Sequence, residues 1–198
     1  MPDQDRVVFR TASVEERVDA IQSALEAKGL GAGAAVEEHS HKAQEEWIPR
    51  NGARIVARAW VDPEFRKRLL ANGREAVTEM GFMMPKHHRH LVVLENTPAV
   101  QNVICCTLCS CIAFTLIGLP PDWYKDLQYR SRVVRESRTV LKELGLELEP
   151  GVEIRVWDTT ADTRYMVLPA RPPRTEGWSE EQLAAIVTRD SLIGVARL

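Results

Sequence analysis

All four cysteines of this 198-residue chain fall in one run, Cys105-Cys106-Thr107-Leu108-Cys109-Ser110-Cys111. Cysteines this close in sequence cannot staple distant parts of a fold, so metal chemistry accounts for them better than a disulfide framework does. Cys106, Cys109 and Cys111 offer three thiolates. Between the last two sulfurs lie the backbone amide nitrogens of Ser110 and Cys111. If both amides lose their protons, the loop becomes a claw of three sulfur and two nitrogen donors with one octahedral position left open. That set suits a trivalent transition ion, whereas zinc prefers four tetrahedral ligands and does not require deprotonated amides. Three thiolates and two amidates outweigh a trivalent ion by two negative charges. Cationic hydrogen-bond donors, arginines above all, are therefore expected near the loop, from this chain or another.

Plainer readings stand beside this one. Cys106 and Cys109 with His87, His88 or His90 could form a structural zinc site, although the histidines read first as a surface turn. Arg130, Arg132, Arg135 and Arg138 could be a solvated helix face or could in part meet a partner. Cys105 reads as a small buried residue on a strand, its side chain on the opposite face from Cys106. Trp123 and Tyr124 read as packing anchors.

The loop has to be positioned by the elements around it. Ser13-Val14-Glu15-Glu16 is a capping-box pattern that opens a helix running to Gly29. A polar helix follows from about Ala35 to Trp47. A third, from Asn51, carries Ile55, Val56, Ala59 and Trp60 on one face. Asp62 caps the next helix with Pro63 in its first turn, and Asn72-Gly73 interrupts it. Leu91–Leu94 and Val103-Ile104 then read as short buried strands, the second leading directly into the cysteines. Beyond the rigid turn Gly118-Leu119-Pro120-Pro121, a basic helix is expected from Tyr129 to Leu144, closed by Gly145. Val152–Trp157 and Arg164–Leu168 read as a strand pair joined by the turn Asp158–Thr163. Ser179 caps a last helix ending near Arg189. Helices first and strands around the cysteines predict an α+β fold. Residues 1–48 are expected to form a helical arm that wraps a partner, and residues 49–198 a compact layered domain.

Composition sets the outer bounds. A net charge of −2 argues against general nucleic-acid binding. No apolar run approaches the roughly 18 residues needed to span a bilayer, and the N-terminal MPDQDRVVFR has no apolar core of a secretory signal. A cytoplasmic address is the expectation, where cysteine clusters serve metals or catalysis rather than disulfides.

Val103-Ile104-Cys105-Cys106-Thr107-Leu108-Cys109-Ser110-Cys111 resembles the metal-binding signature of nitrile hydratase α subunits. The resemblance continues in Gly118-Leu119-Pro120-Pro121-Asp122-Trp123-Tyr124-Lys125, Tyr129–Glu136, Ile154–Asp158, Arg164–Pro169 and Glu176-Gly177-Trp178-Ser179. Upstream it includes Ala59–Phe65, so that it covers about residue 50 to the end of the chain. It implies metal ligation by Cys106 as axial thiolate and by Cys109, Cys111 and the amides of Ser110 and Cys111 in the equatorial plane. It implies oxidation of Cys109 to a sulfinic acid and of Cys111 to a sulfenic acid, both acting in catalysis. It also implies one Co(III) per chain, Thr107 standing where iron-binding members have serine. The implied reaction is hydration of a nitrile to an amide, with a β-type subunit of one or two chains supplying arginines and an activator protein delivering the metal.

The same claw occurs in a thiocyanate hydrolase subunit, and a non-catalytic cobalt carrier is a third reading. The chain departs from the family pattern at Ile112-Ala113-Phe114, where members have Tyr-Pro-Trp or Thr-Ala-Trp, at Thr115 for proline, and at Cys105 for valine. It departs again at Pro85–His90, where many members have a glutamine-containing turn. These changes point to an unusual nitrile, bulkier or heteroaromatic.

Overall fold

A computed structural model describes residues 12–198, which divide into two compact units, one ending at Glu45 and the other spanning Glu46–Leu198. In the first unit, helix α1 (Val14–Ala27) starts at the expected capping box, with Ser13 and Glu16 each accepting from the other's backbone N–H. None of its side chains is buried. Gly29, at φ +71°, ends it, and helix α2 (Ala32–Glu45) follows.

The second unit is mixed. Helix α3 (Pro49–Val61) buries Gly52, Ala53, Ile55, Val56, Ala57 and Ala59, a stripe at helical spacing that becomes the centre of the core. Gly52 permits this: a Cβ there would meet Leu192 Cδ1 at 2.8 Å and the Leu116 carbonyl at 3.0 Å. Asp62 accepts from Phe65 N and caps α4 (Pro63–Ala71), and Asn72 accepts from Glu75 N and caps α5 (Gly73–Glu79). Strands β1 (His90–Glu95) and β2 (Val100–Cys105) come next. Four short helices follow: α6 (Phe114–Ile117), α7 (Asp122–Lys125), α8 (Leu127–Arg132) and α9 (Ser137–Glu143). Strands β3 (Glu153–Asp158) and β4 (Thr163–Leu168) precede α10 (Glu180–Ile186) and α11 (Arg189–Ile193). The fold is α+β, as the sequence predicts.

Three local expectations are corrected. First, β3 and β4 do not pair with each other. β1 runs parallel to β4 and β2 parallel to β3, in two separate two-stranded sheets. The residues of the turn are committed elsewhere: Thr159 N–H bonds the Cys105 carbonyl and prolongs the β2–β3 ladder, while His90 N–H takes the Asp162 carbonyl and opens β1–β4. Second, the basic helix is two helices, α8 and α9. The Arg132 guanidinium bonds both Glu136 and Glu143, and Glu143 would lie about 16 Å along a straight helix. Third, the last helix stops at Ile186 and restarts after Thr188, whose hydroxyl and that of Ser191 cap each other's backbone.

Candidate metal centre

β2 ends at Cys105, paired in register with Asp158, so the cysteine loop springs from the C-terminal end of two parallel strands. Side chains from α7, α8, β3 and the residue just after β3 hold it by its backbone. Tyr129 O–H donates to the Ile104 carbonyl at 2.8 Å, just before the loop. Asp158 accepts from Thr107 N at 2.9 Å and from the Thr107 hydroxyl. Arg130 Nη1 donates to the Cys109 carbonyl at 2.6 Å. Tyr124 O–H, at 3.0 Å, and Thr159 O–H, at 3.3 Å, both donate to the Cys111 carbonyl.

Held in this way, the sulfurs of Cys106, Cys109 and Cys111 all lie within 4.8 Å of one another. Cys106 and Cys109 Sγ are 3.4 Å apart, and Cys109 and Cys111 Sγ 3.1 Å. Their environments differ. Cys106 is buried, Cys109 exposed and Cys111 half-buried, while Leu108 between them is 88% exposed. Burial pushes the Cys106 thiol up, but bonds from the Thr159 hydroxyl and the amides of Cys109 and Cys111 outweigh it and bring the group down to about 7. Burial and the Cys109 thiol push Cys111 up to about 11, against the pull of the Arg164 cation. Cys105 is fully buried and pushed up to about 12 by burial, Asp158 and Cys106. It is not one of the converging sulfurs.

The donor set fits a metal: three sulfurs converge with the amides of Ser110 and Cys111 between two of them, and no sulfur is locked in a disulfide. No histidine joins the cluster among the described residues. The Pro85–His90 turn is only partly a surface feature. His87 and His90 are exposed, but His88 is 1% exposed, its ring edge-on to His87 at 4.4 Å and to Phe114 at 5.3 Å. Trp47 meets the same Phe114 ring at 4.6 Å. An aromatic group therefore stands three residues beyond Cys111, centred on Phe114.

The sequence marked the claw and Tyr124, but not the tasks of Asp158, Thr159 and Tyr129, and it left Arg130 among four similar arginines. Asp158 ends a strand and could have been singled out only by knowing which strand pairs with β2.

Comparison with known proteins decides the family. The family model for "Nitrile hydratase, alpha chain" matches residues 12–196. The chain belongs to the nitrile hydratase α-subunit family. It is 49% identical to the low-molecular weight cobalt-containing nitrile hydratase subunit alpha of Rhodococcus rhodochrous, over 98% of this chain and 94% of that one. Among solved structures it superposes with a TM-score of 0.91 on a histidine double variant of the Fe-type nitrile hydratase of Comamonas testosteroni Ni1. The two are 56% identical over 93% of this chain and 89% of that one. It is also 46% identical to the thiocyanate hydrolase subunit gamma of Thiobacillus thioparus, over 75% of this chain and 65% of that one. Nitrile hydratases are hydro-lyases, and membership makes this chain an enzyme subunit. Both cobalt-containing and Fe-type relatives are similar to it. Among the described residues no helix is long and apolar enough to cross a membrane.

Proposed function

We propose that this chain is the metal-bearing subunit of an enzyme that hydrates a nitrile to its amide, with Cys106, Cys109, Cys111 and the amide nitrogens of Ser110 and Cys111 holding one cobalt(III). The observation that carries the reading is the convergence of three sulfurs within 4.8 Å on a loop whose backbone is fixed from outside. Thr107 favours cobalt over iron, and its hydroxyl is engaged by Asp158. Bound there, a trivalent ion would polarise a nitrile nitrogen or a water at its open position.

The chain's own residues do the rest. An external oxidant of the dioxygen class converts Cys109 to a sulfinic acid, a four-electron loss, and Cys111 to a sulfenic acid, a two-electron loss. The Cys111 sulfenate oxygen acts as nucleophile or as base toward water. Overall, the C≡N bond gains the elements of one water. Phe114, with His88 and Trp47 against it, forms an aromatic wall beside the claw and suits a bulky or heteroaromatic nitrile.

Leu108 and Cys109 are exposed, and a β-type partner of one or two chains covers them and adds arginines. An activator protein delivers the cobalt in the cytoplasm. Residues 1–48 form the arm that wraps the partner. On α1 and α2, Val14 (68% exposed), Val18 (51%), Ile21 (56%) and Val36 (53%) are apolar side chains free for such a contact. A thiocyanate-hydrolysing enzyme is the second reading, favoured by the Thiobacillus relative.

Co-expression with the β-type partner, followed by amide assays over aliphatic, aromatic and heteroaromatic nitriles with thiocyanate alongside, tests this. Elemental analysis should find cobalt, and intact mass should find oxygen added at Cys109 and Cys111. Unmodified thiols with zinc would sink the reading, and turnover of thiocyanate alone would select the second.

A further inference from the structure

Four arginines follow the GLPPDWYK block, and the structure gives them different tasks. Arg132 is ion-paired with Glu136 and Glu143. Arg135, in the turn after α8, is exposed and bonds only the Ser131 carbonyl. Arg138 closes the α9–β3 connection by donating to the carbonyls of Leu148, Glu149 and Val152. Arg130 differs from all of these. It is half-buried and has no carboxylate partner among the described residues. It spends Nη1 on the Cys109 carbonyl, and its Nε is buried without an acceptor. A guanidinium without an anion, turned toward a loop of thiols, is costly unless the loop itself supplies the anion.

The chosen carbonyl is informative. The Cys109 oxygen and the Ser110 nitrogen belong to one peptide unit, and O, C and N share their π electrons. When Ser110 ligates a metal through an anionic nitrogen, part of that charge resides on the oxygen Arg130 holds. A neutral donor there would fix geometry alone. A guanidinium fixes geometry and supplies opposite charge through a hydrogen bond shorter and stronger than a neutral one.

We propose that Arg130 is a positioning residue of the metal loop, the intrachain counter-cation that holds the Cys109–Ser110 peptide unit in its metal-binding state. This rests on the cobalt reading above and adds to it a cation that no partner subunit has to provide.

The test uses the full chain co-expressed with its β-type partner in cobalt medium, comparing wild type with Arg130→Met, Arg130→Lys, Arg130→Gln and the control Arg135→Gln. Readouts are cobalt per chain after chelator dialysis, the visible sulfur-to-metal absorption band and the melting temperature. Arg130→Met should retain about tenfold less cobalt, the scale of loss typical for residues that orient metal ligands, with a shifted band. Arg130→Lys should recover part of the retention, and Arg135→Gln should match wild type.

A lowered melting temperature with unchanged cobalt and band in Arg130→Met would reduce Arg130 to a packing role and overturn the proposal. If Arg130→Met does not fold, Arg130→Gln decides, since it can keep the hydrogen bond without the charge; wild-type retention there overturns the proposal equally. A wild-type chain that takes zinc in place of cobalt overturns the cobalt reading itself, a failure distinguishable because it shows before any variant is made.

Discussion

Three thiolates brought together repel one another, so the loop that carries them has to be held by groups outside it. Asp158 does this at the first turn, taking both the backbone N–H and the hydroxyl of Thr107. Asp158→Ala removes both bonds, Thr107→Val only the one its hydroxyl donates, and the two residues are each other's partners. Their effects on cobalt retention should therefore be strongly non-additive in a double-mutant cycle, with about tenfold loss for Asp158→Ala. Additive losses would show that Asp158 acts elsewhere. His88 sets a second, independent test. Burial, with Arg164, His87 and Arg74 adding positive charge nearby, lowers its pKa from 6.5 to about 4. The folded chain thus refuses a proton that the unfolded chain binds below about 6.5. Stability from this group is fully present above that pH, falls as pH drops toward 4, and falls no further below it. The loss reaches about 3 kcal/mol at most. Urea unfolding at about pH 7 and pH 4.5 should show a smaller acid loss for His88→Asn than for wild type, and equal losses would remove His88 as the cause.

At the scale of elements, the parallel pairing of β2 with β3 brings Asp158 and Thr159 to the loop, and this pairing was not legible in the sequence. Val152–Trp157 and Arg164–Leu168 have strand composition, and a short polar turn between two such runs reads as a hairpin because local pattern carries no information about a distant partner. The claw, the caps at Ser13, Asp62 and Ser179, and the buried stripe of α3 were legible, because each depends on residues within a turn or two of one another. The buried polar side chains of β2 also escaped notice. Gln101 donates to the Gly194 carbonyl, and Asn102 accepts from the Trp157 indole while bonding the Glu95 carbonyl and Asn96. Gln101 ties β2 to the segment after α11, where Gly194 sits at φ +94° and a Cβ would come within 1.9 Å of the Asn102 carbonyl. Gly194→Ala combines backbone strain with a clash against the strand that feeds the claw. It should cost several kcal/mol in urea unfolding and lower cobalt occupancy with it. Tyr129→Phe, which strips one buried bond from the Ile104 carbonyl, should cost only about 1 to 2 kcal/mol. A Gly194→Ala chain as stable as wild type would mean that the segment after α11 can shift without disturbing β2.

At the scale of the whole molecule, the hydrophobic core lies within residues 46–198, and every buried apolar side chain among the described residues belongs to that unit. Helix α1 buries nothing. Its capping box, Gln22–Glu26 contact and helical propensity hold the helix locally, but they are worth about 1 kcal/mol or less each and do not account for apolar side chains on water-facing positions. Those side chains are explained if another chain covers them. Removing residues 1–45 should therefore leave the thermal midpoint of the remaining chain within a few degrees of the full-length value, since the buried apolar side chains among the described residues all lie within residues 46–198. The same truncation should weaken co-purification with the β-type partner and lower nitrile turnover in proportion to the complex lost. Cobalt per chain in the complex that survives should be unchanged. If the truncated chain holds its partner as tightly as the full one, the arm has another purpose. If it unfolds, residues 1–45 contribute to the fold of the second unit itself.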